Sequence, residues 1–257
     1  MKLPNNHIFN HDLLRQNTIV SSVAHNKEVN FLYKNQRLLF KKNKLTRPEE
    51  MKDWRENSLT YKLNNFGYRS NKDFVEGDEC NAYIGCSYTF GEEVNYKDIW
   101  PTLVNKKLND YKLYNLGVPG GGPETCYRVL KGFIDFANIK RVFLLLPLSD
   151  RRELYYRKEW YQVKANSVQV SHKEIISGFF TKEEAYMNKV RNVDAIKFLC
   201  YSNNIPLYIL DLNDTETEKT VVNDATARDL LHPGKSAHAT FADMYLKMVN
   251  GTIGDNL

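Results

Sequence analysis

From residue 81 onward the chain alternates short apolar runs with longer stretches whose apolar positions fall three and four apart. Ala82-Tyr83-Ile84 predicts a short strand. Trp100, Leu103, Val104 and Leu108 share one face of a helix expected over 98–108. Leu113-Tyr114-Asn115-Leu116 reads as the next strand and Gly120-Gly121-Gly122 as a loop. Pro123 and Glu124 then open a helix, since proline is tolerated in a first turn and an acid is favoured there by the helix dipole. Arg141-Val142-Phe143-Leu144-Leu145-Leu146 is apolar without a break from Val142, as a strand buried on both faces requires. Thr181 with Glu184 forms a capping box, and the helix behind it sets Tyr186, Val190, Val193, Ile196 and Leu199 on one side. Pro206-Leu207-Tyr208-Ile209-Leu210 is a further buried strand, and a last helix is expected over 235–249. Strands alternating with helices imply a parallel sheet with helices on both faces. The stretch 155–173, which includes His172, fits neither pattern and reads as an insertion.

The first 80 residues are polar and rich in Asn and Lys. Val29 to Tyr33 and Leu38-Leu39-Phe40 flank Lys34-Asn35-Gln36-Arg37, which suggests a small hairpin. Asn64-Asn65-Phe66-Gly67-Tyr68-Arg69 reads as a turn in which Gly67 supplies the unusual backbone angle. Residues 1–80 are therefore expected to be an N-terminal extension packed on a domain formed by 81–257, with Phe66, Tyr68 and Phe74 as anchors.

Composition narrows the class. With 257 residues, 42% of them hydrophobic and 12% aromatic, the chain can bury a sizeable core. No run approaches the roughly 20 apolar residues that span a bilayer, so no membrane role is expected. Met1 to Asn10 carries no apolar secretory segment, which makes a cytoplasmic location the default and is compatible with assembly into a larger particle. The net charge of +5 is modest, but Lys34, Arg37, Lys41, Lys42, Lys44 and Arg47 form a run with no acid between them. Such a run could meet an anionic glycan, a nucleic acid or a partner chain; the favoured reading is a solvated hairpin face, without nucleic acid as a partner. Cys80, Cys86, Cys126 and Cys200 have neither zinc-ligand spacing nor a C-x-x-C pair, and read as buried reduced thiols.

Ligands of open α/β sheets bind beyond the carboxyl ends of the strands. The polar residues there are Gly85-Cys86-Ser87-Tyr88-Thr89-Phe90-Gly91, Gly117-Val118-Pro119-Gly120-Gly121-Gly122, Pro147-Leu148-Ser149-Asp150 and, before the last helix, Asp229-Leu230-Leu231-His232-Pro233. A serine hydroxyl needs a base to become a nucleophile, histidine serves near neutral pH, and a carboxylate orients its ring. Asp229 and His232, three apart on one loop, can serve one site, while glycines let backbone N–H groups approach a developing oxyanion. A helix N-terminal arrangement with Asp229 as cap is the rival explanation of that pair. Asp211 is a rival acid with no histidine at matching spacing, and His238 reads as a residue of the last helix rather than a catalyst. Asp229 and His232 lack a convincing third metal ligand. Asp150-Arg151-Arg152-Glu153 is read as an internal ion-pair network in preference to a site for a substrate carboxylate.

These blocks resemble the SGNH (GDSL-type) hydrolase family over roughly residues 81–249. The segment around Ser87 is similar to its first block, with Cys86 where the usual motif has Asp; Asn115 to Gly120 is similar to the second, and Asp229-x-x-His232-Pro233 to the last. The third block departs from the pattern, Ser149 standing where the family has an oxyanion asparagine. The resemblance implies a three-layer α/β/α, flavodoxin-like fold around a mostly parallel five-stranded sheet. It implies Ser87 as nucleophile, His232 as base and Asp229 as its orienting acid, with Ser87, Gly120 and Ser149 around the oxyanion, and no cofactor. The Ser87 hydroxyl is then expected within reach of His232, and Asp229 against the other ring nitrogen. Hydrolysis of small carboxylic esters, including O-acetyl groups on carbohydrates, is the implied reaction; an acyltransferase, or a binding or structural module with weakened chemistry, stands as the alternative. Oligomeric state is left open.

Overall fold

The computed structural model of the chain describes residues 14–15, 28–156, 159–164, 181–214, 217, 219 and 226–251. In chain order its elements are β1 (Glu28–Val29), α1 (Lys34–Thr46), β2 (Tyr61–Lys62), β3 (Glu79–Gly85), α2 (Ser87–Phe90), α3 (Trp100–Leu108), β4 (Lys112–Gly117), α4 (Pro123–Phe133), β5 (Asn138–Leu146), β6 (Arg151–Tyr156), β7 (Glu159–Lys164), α5 (Lys182–Ser202), β8 (Leu207–Asp211) and α6 (Lys235–Val249). The central sheet runs β4-β3-β5-β8, and every pairing in it is parallel. It has four strands among the described residues, one fewer than the five expected.

Side chains alternate across the sheet with the period of two that a pleated strand imposes. Ala82 and Ile84 of β3 and Val142, Leu144 and Leu146 of β5 face a cluster with Val129, Leu130 and Phe133 of α4 and Ile196 and Cys200 of α5. Tyr83, Phe143 and Leu145 face the opposite way, toward Trp100 and Val104 of α3 and Phe241 and Tyr245 of α6. Tyr83 and Phe143 stack at 4.9 Å, and Trp100 stacks on Tyr245 at 4.6 Å. Burying each such ring contributes on the order of 2 kcal/mol, so both faces of the sheet are occupied by stabilising layers. The three-layer α/β/α expectation therefore holds. From β3 the chain turns to β4 on one side, then crosses to β5 on the other, so the strand order reverses beside β3, the place at whose carboxyl end ligands of open α/β sheets bind.

Two readings of the N-terminal region have different outcomes. Residues 34–46 form a helix, not the expected hairpin turn and strand. Gln36, Phe40 and Asn43 are buried at helical spacing, while Lys34, Arg37, Lys41 and Lys42 are exposed, so the basic run is the solvent face of α1. Two polar residues in the buried stripe hid that helical period. The turn at 64–69 forms as expected: Gly67 has φ 79°, its amide bonds the Asn64 carbonyl at 3.0 Å, and the Asn64 side chain accepts from the amides of Phe66 and Tyr68. Phe66, Tyr68 and Phe74 all pack their rings on Phe133, and Phe74 stacks on Tyr114 at 3.9 Å.

Thr181 accepts from the Glu184 amide at 3.1 Å, as the capping box predicts. The buried stripe behind it is Ala185, Asn188, Ile196 and Cys200, and Tyr186 is exposed rather than on the core side. The first part of the supposed insertion belongs to the antiparallel hairpin β6–β7. Residues 165–173, with His172, lie outside the described residues, as do Met1 to Asn10. No helix of the described residues is long and apolar enough to cross a membrane.

Candidate active site

β3 ends at Gly85, Cys86 precedes the helix, and Ser87 opens α2 with 3% of its surface exposed. The Ser87 amide is in the first turn, where a helix offers no internal acceptor. α2 can lie this close to the sheet because residue 117 is glycine: a Cβ there would overlap the Phe90 backbone nitrogen. The loop after β4 is tied to the same place, the Val118 amide bonding the Gly85 carbonyl at 2.9 Å. Its turn closes with the Gly121 amide on the Val118 carbonyl at 2.9 Å, Pro119 and Gly120 being the central residues. Gly120 has φ 76°, the left-handed conformation that a type II turn with proline before it demands.

The loop before α6 supplies the acid and the histidine. Asp229 is folded into its own loop: Oδ1 accepts the amides of Leu231 and His232, both at 3.0 Å, and Oδ2 lies 2.6 Å from His232 Nδ1. The helix cap of α6 is Gly234, so Asp229 braces its own loop and is not the cap. Burial pushes the Asp229 carboxyl up, but the His232 hydrogen bond and charge and the two amides outweigh it and hold the group below its ordinary value. Burial likewise works against a proton on His232; the Asp229 hydrogen bond and the charges of Glu92 and Asp229 prevail, and its pKa is raised to about 9.

The two halves meet at His232. The Tyr88 ring stands edge-on to the imidazole at 5.7 Å, and Glu92 Oε2, from the segment just beyond α2, lies 3.7 Å from Nε2. Asp229 thus takes the ring nitrogen expected for it. The Ser87 hydroxyl makes no hydrogen bond with any described residue, His232 included, and Nε2 faces Glu92 instead. Ser149 sits half-buried in the turn after β5, its hydroxyl likewise unbonded among the described residues. Two residues on, the Arg151 guanidinium reaches the Gly121 carbonyl at 3.3 Å, which joins this loop to the one bearing Gly120.

The remaining candidates are structural. Asp211 pairs with Lys189. His238 is buried and accepts from the Trp100 amide at 3.2 Å through Nδ1. Arg152 bonds Glu124 and Glu184, and Glu153 forms a two-point buried pair with Arg128 at 2.6 and 2.8 Å, so the charged segment after Ser149 is mainly an internal network. All four cysteines are free and buried. The sequence reading missed Glu92, Gln36 and Asn43. Gln36 Nε2 donates to Glu92 Oε1 at 2.6 Å, and Asn43 Nδ2 donates to the Asp229 carbonyl at 2.8 Å, so α1 touches both sides of the His232 environment. The available signal was the i, i+4, i+7 spacing of Gln36, Phe40 and Asn43, polar at two of three positions.

No model of a known protein family matches the chain, and no curated protein matches it. Solved structures similar to it include a member of the lipolytic G-D-S-L family from Veillonella parvula DSM 2008, at 14% identity and TM-score 0.37 over 67% of this chain and 98% of that one. A putative lipolytic protein of the G-D-S-L family from Desulfitobacterium hafniense DCB-2 is similar at 16% identity and TM-score 0.35, over 67% and 99%. A gut microbial diltiazem-metabolizing enzyme is similar at 16% identity and TM-score 0.34, over 68% of this chain and 47% of that one.

Proposed function

We propose that the chain is a serine hydrolase of small carboxylic esters, with Ser87 as nucleophile, His232 as base and Asp229 as the carboxylate that orients the ring. The observation that carries this reading is the 2.6 Å contact between Asp229 and His232 Nδ1, on a loop whose histidine packs against the residue after Ser87. A carboxylate on Nδ1 leaves Nε2 as the nitrogen that exchanges a proton with the serine. In the reaction Ser87 Oγ attacks the ester carbonyl while its proton passes to Nε2. The tetrahedral oxyanion is met by the amides of Ser87 and Gly120 and by the Ser149 hydroxyl. His232 then returns the proton to the leaving alcohol, and water, activated in the same way, releases the acid. The hydrogen bond from serine to histidine forms with substrate in place, as such contacts often tighten only in the complex.

O-acetyl groups on carbohydrates are the substrate class we favour. The test is turnover of short-chain aryl esters and O-acetylated sugars by the wild type and by Ser87→Ala, with labelling by a serine-directed phosphonate. The substitution should lower turnover by at least about 10³-fold and abolish labelling. Wild-type turnover unaffected by Ser87→Ala would refute the assignment. Acyl transfer to an added alcohol in place of water would identify a transferase using the same residues.

A further inference from the structure

We propose that Glu92, clamped by Gln36 from α1, is a positioning residue for His232: it faces the ring nitrogen that must take the Ser87 proton and competes with Ser87 for it. The inference rests on the hydrolase reading above and adds a residue and a segment that the three-residue arrangement does not contain.

Its basis is geometric. Glu92 is 9% exposed and follows directly on the motif that carries Ser87. One carboxylate oxygen accepts from Gln36 Nε2 at 2.6 Å, and the other lies 3.7 Å from His232 Nε2. Gln36 is held in turn, its Oε1 accepting the Leu32 amide at 2.7 Å. The Glu92 amide bonds the Ser87 carbonyl at 3.0 Å, so nucleophile and competitor belong to one hydrogen-bonded turn. His232 consequently has a carboxylate at each nitrogen, Asp229 at 2.6 Å and Glu92 at 3.7 Å. A ring in that position is favoured as the cation, with negative charge beside both of its nitrogens.

The groups around this contact act together. His232 is faced by Asp229 from its own loop, and by Cys86, Tyr88 and Glu92 from the Ser87 segment. Glu92 is faced by His232, Gln36, Glu93 and Asp229, and lies close enough to Tyr33 and Tyr61 to act on both. Glu93 is neutralised by the buried Arg228. Burial pushes the Glu92 carboxyl up, while His232 and Gln36 favour its charged form. Between pH 6.5 and about 9 the ring therefore rests as imidazolium and cannot act as a base until a proton leaves it. A substrate that separates Glu92 from Nε2, or a rise in pH, frees it. Through Gln36, α1 sets that balance, which makes this N-terminal helix part of the site.

The experiment is an NMR titration of the His232 ring in wild type, Glu92→Gln and Gln36→Leu, with the pH profile of ester turnover measured on the same proteins. Removing the Glu92 charge should lower the ring's midpoint by about one pH unit or more, and the acid limb of turnover should move down with it. Gln36→Leu, which leaves Glu92 in place but unclamped, should shift both in the same direction by less. A loss of stability alone would lower turnover at every pH without moving either midpoint. An unchanged ring midpoint in Glu92→Gln overturns the proposal, even if Ser87-dependent hydrolysis is intact. Failure of the hydrolase reading would show separately, as absent serine labelling and turnover, while the ring titration still decides whether Glu92 holds His232.

Discussion

Arg228 offers the sharpest test of how the N-terminal segment is joined to the site. The side chain is fully buried, and its guanidinium donates to Glu93 Oε2 at 2.6 Å and Oε1 at 3.3 Å, to the Asn30 carbonyl at 2.6 Å and to the Glu56 carbonyl at 3.2 Å. It also lies 4.1 Å over the Phe31 ring. One residue thus joins the segment after β1, the loop before β2 and the turn beyond α2, and stands next to Asp229 in the chain. Arg228→Met removes this partner from the Glu93 carboxylate, which is 1% exposed and has the Tyr61 hydroxyl at 3.1 Å as its other donor. Stranding a buried charge in this way costs about 3–5 kcal/mol. With a denaturant slope of about 3 kcal/mol per M, the urea midpoint should fall by about 1–1.7 M. The double variant Arg228→Met/Glu93→Gln, which leaves no charge to strand, should recover much of that loss. Urea unfolding followed by circular dichroism measures both. A midpoint change under about 0.3 M in the single variant, or a double variant as unstable as the single one, would refute the argument that burial of the unpaired carboxylate dominates.

Two further outcomes follow from the site. Ser149→Ala should lower turnover by on the order of 10-fold with KM nearly unchanged, and Ser149→Asn should keep or raise it, if the hydroxyl donates to the oxyanion; equal kcat in all three proteins would remove Ser149 from the mechanism. For stability, the folded-state pKa of His232, about 9, exceeds its ordinary 6.5, so the folded chain holds this proton more tightly than the unfolded one. That stabilisation is complete below pH 6.5 and is lost as the pH rises through about 9, so the melting temperature should drop across this window and His232→Gln should flatten the drop; equal slopes in both proteins would count against it.

Much of the α/β core was legible in the sequence, because burial on both faces of a parallel sheet leaves unbroken apolar runs such as 142–146, and amphipathic helices leave stripes such as Trp100 with Val104. The turn at Asn64 to Arg69 and the Thr181–Glu184 cap were legible for a local reason: each depends on side chains within four residues of the groups they satisfy. Asp229 with His232 was legible because both lie on one loop. Helix α1 was not, since its buried face is Gln36, Phe40 and Asn43, and two of those are polar with partners 56 and 186 residues away. Apolar periodicity records only the burial of nonpolar surface; a buried amide whose hydrogen bonds are made across the fold looks, in sequence, like a solvated one. Glu92 was hidden for the same reason. Beside Glu93 it reads as half of an acidic pair, and only the tertiary structure sends one carboxylate to Arg228 and the other to His232.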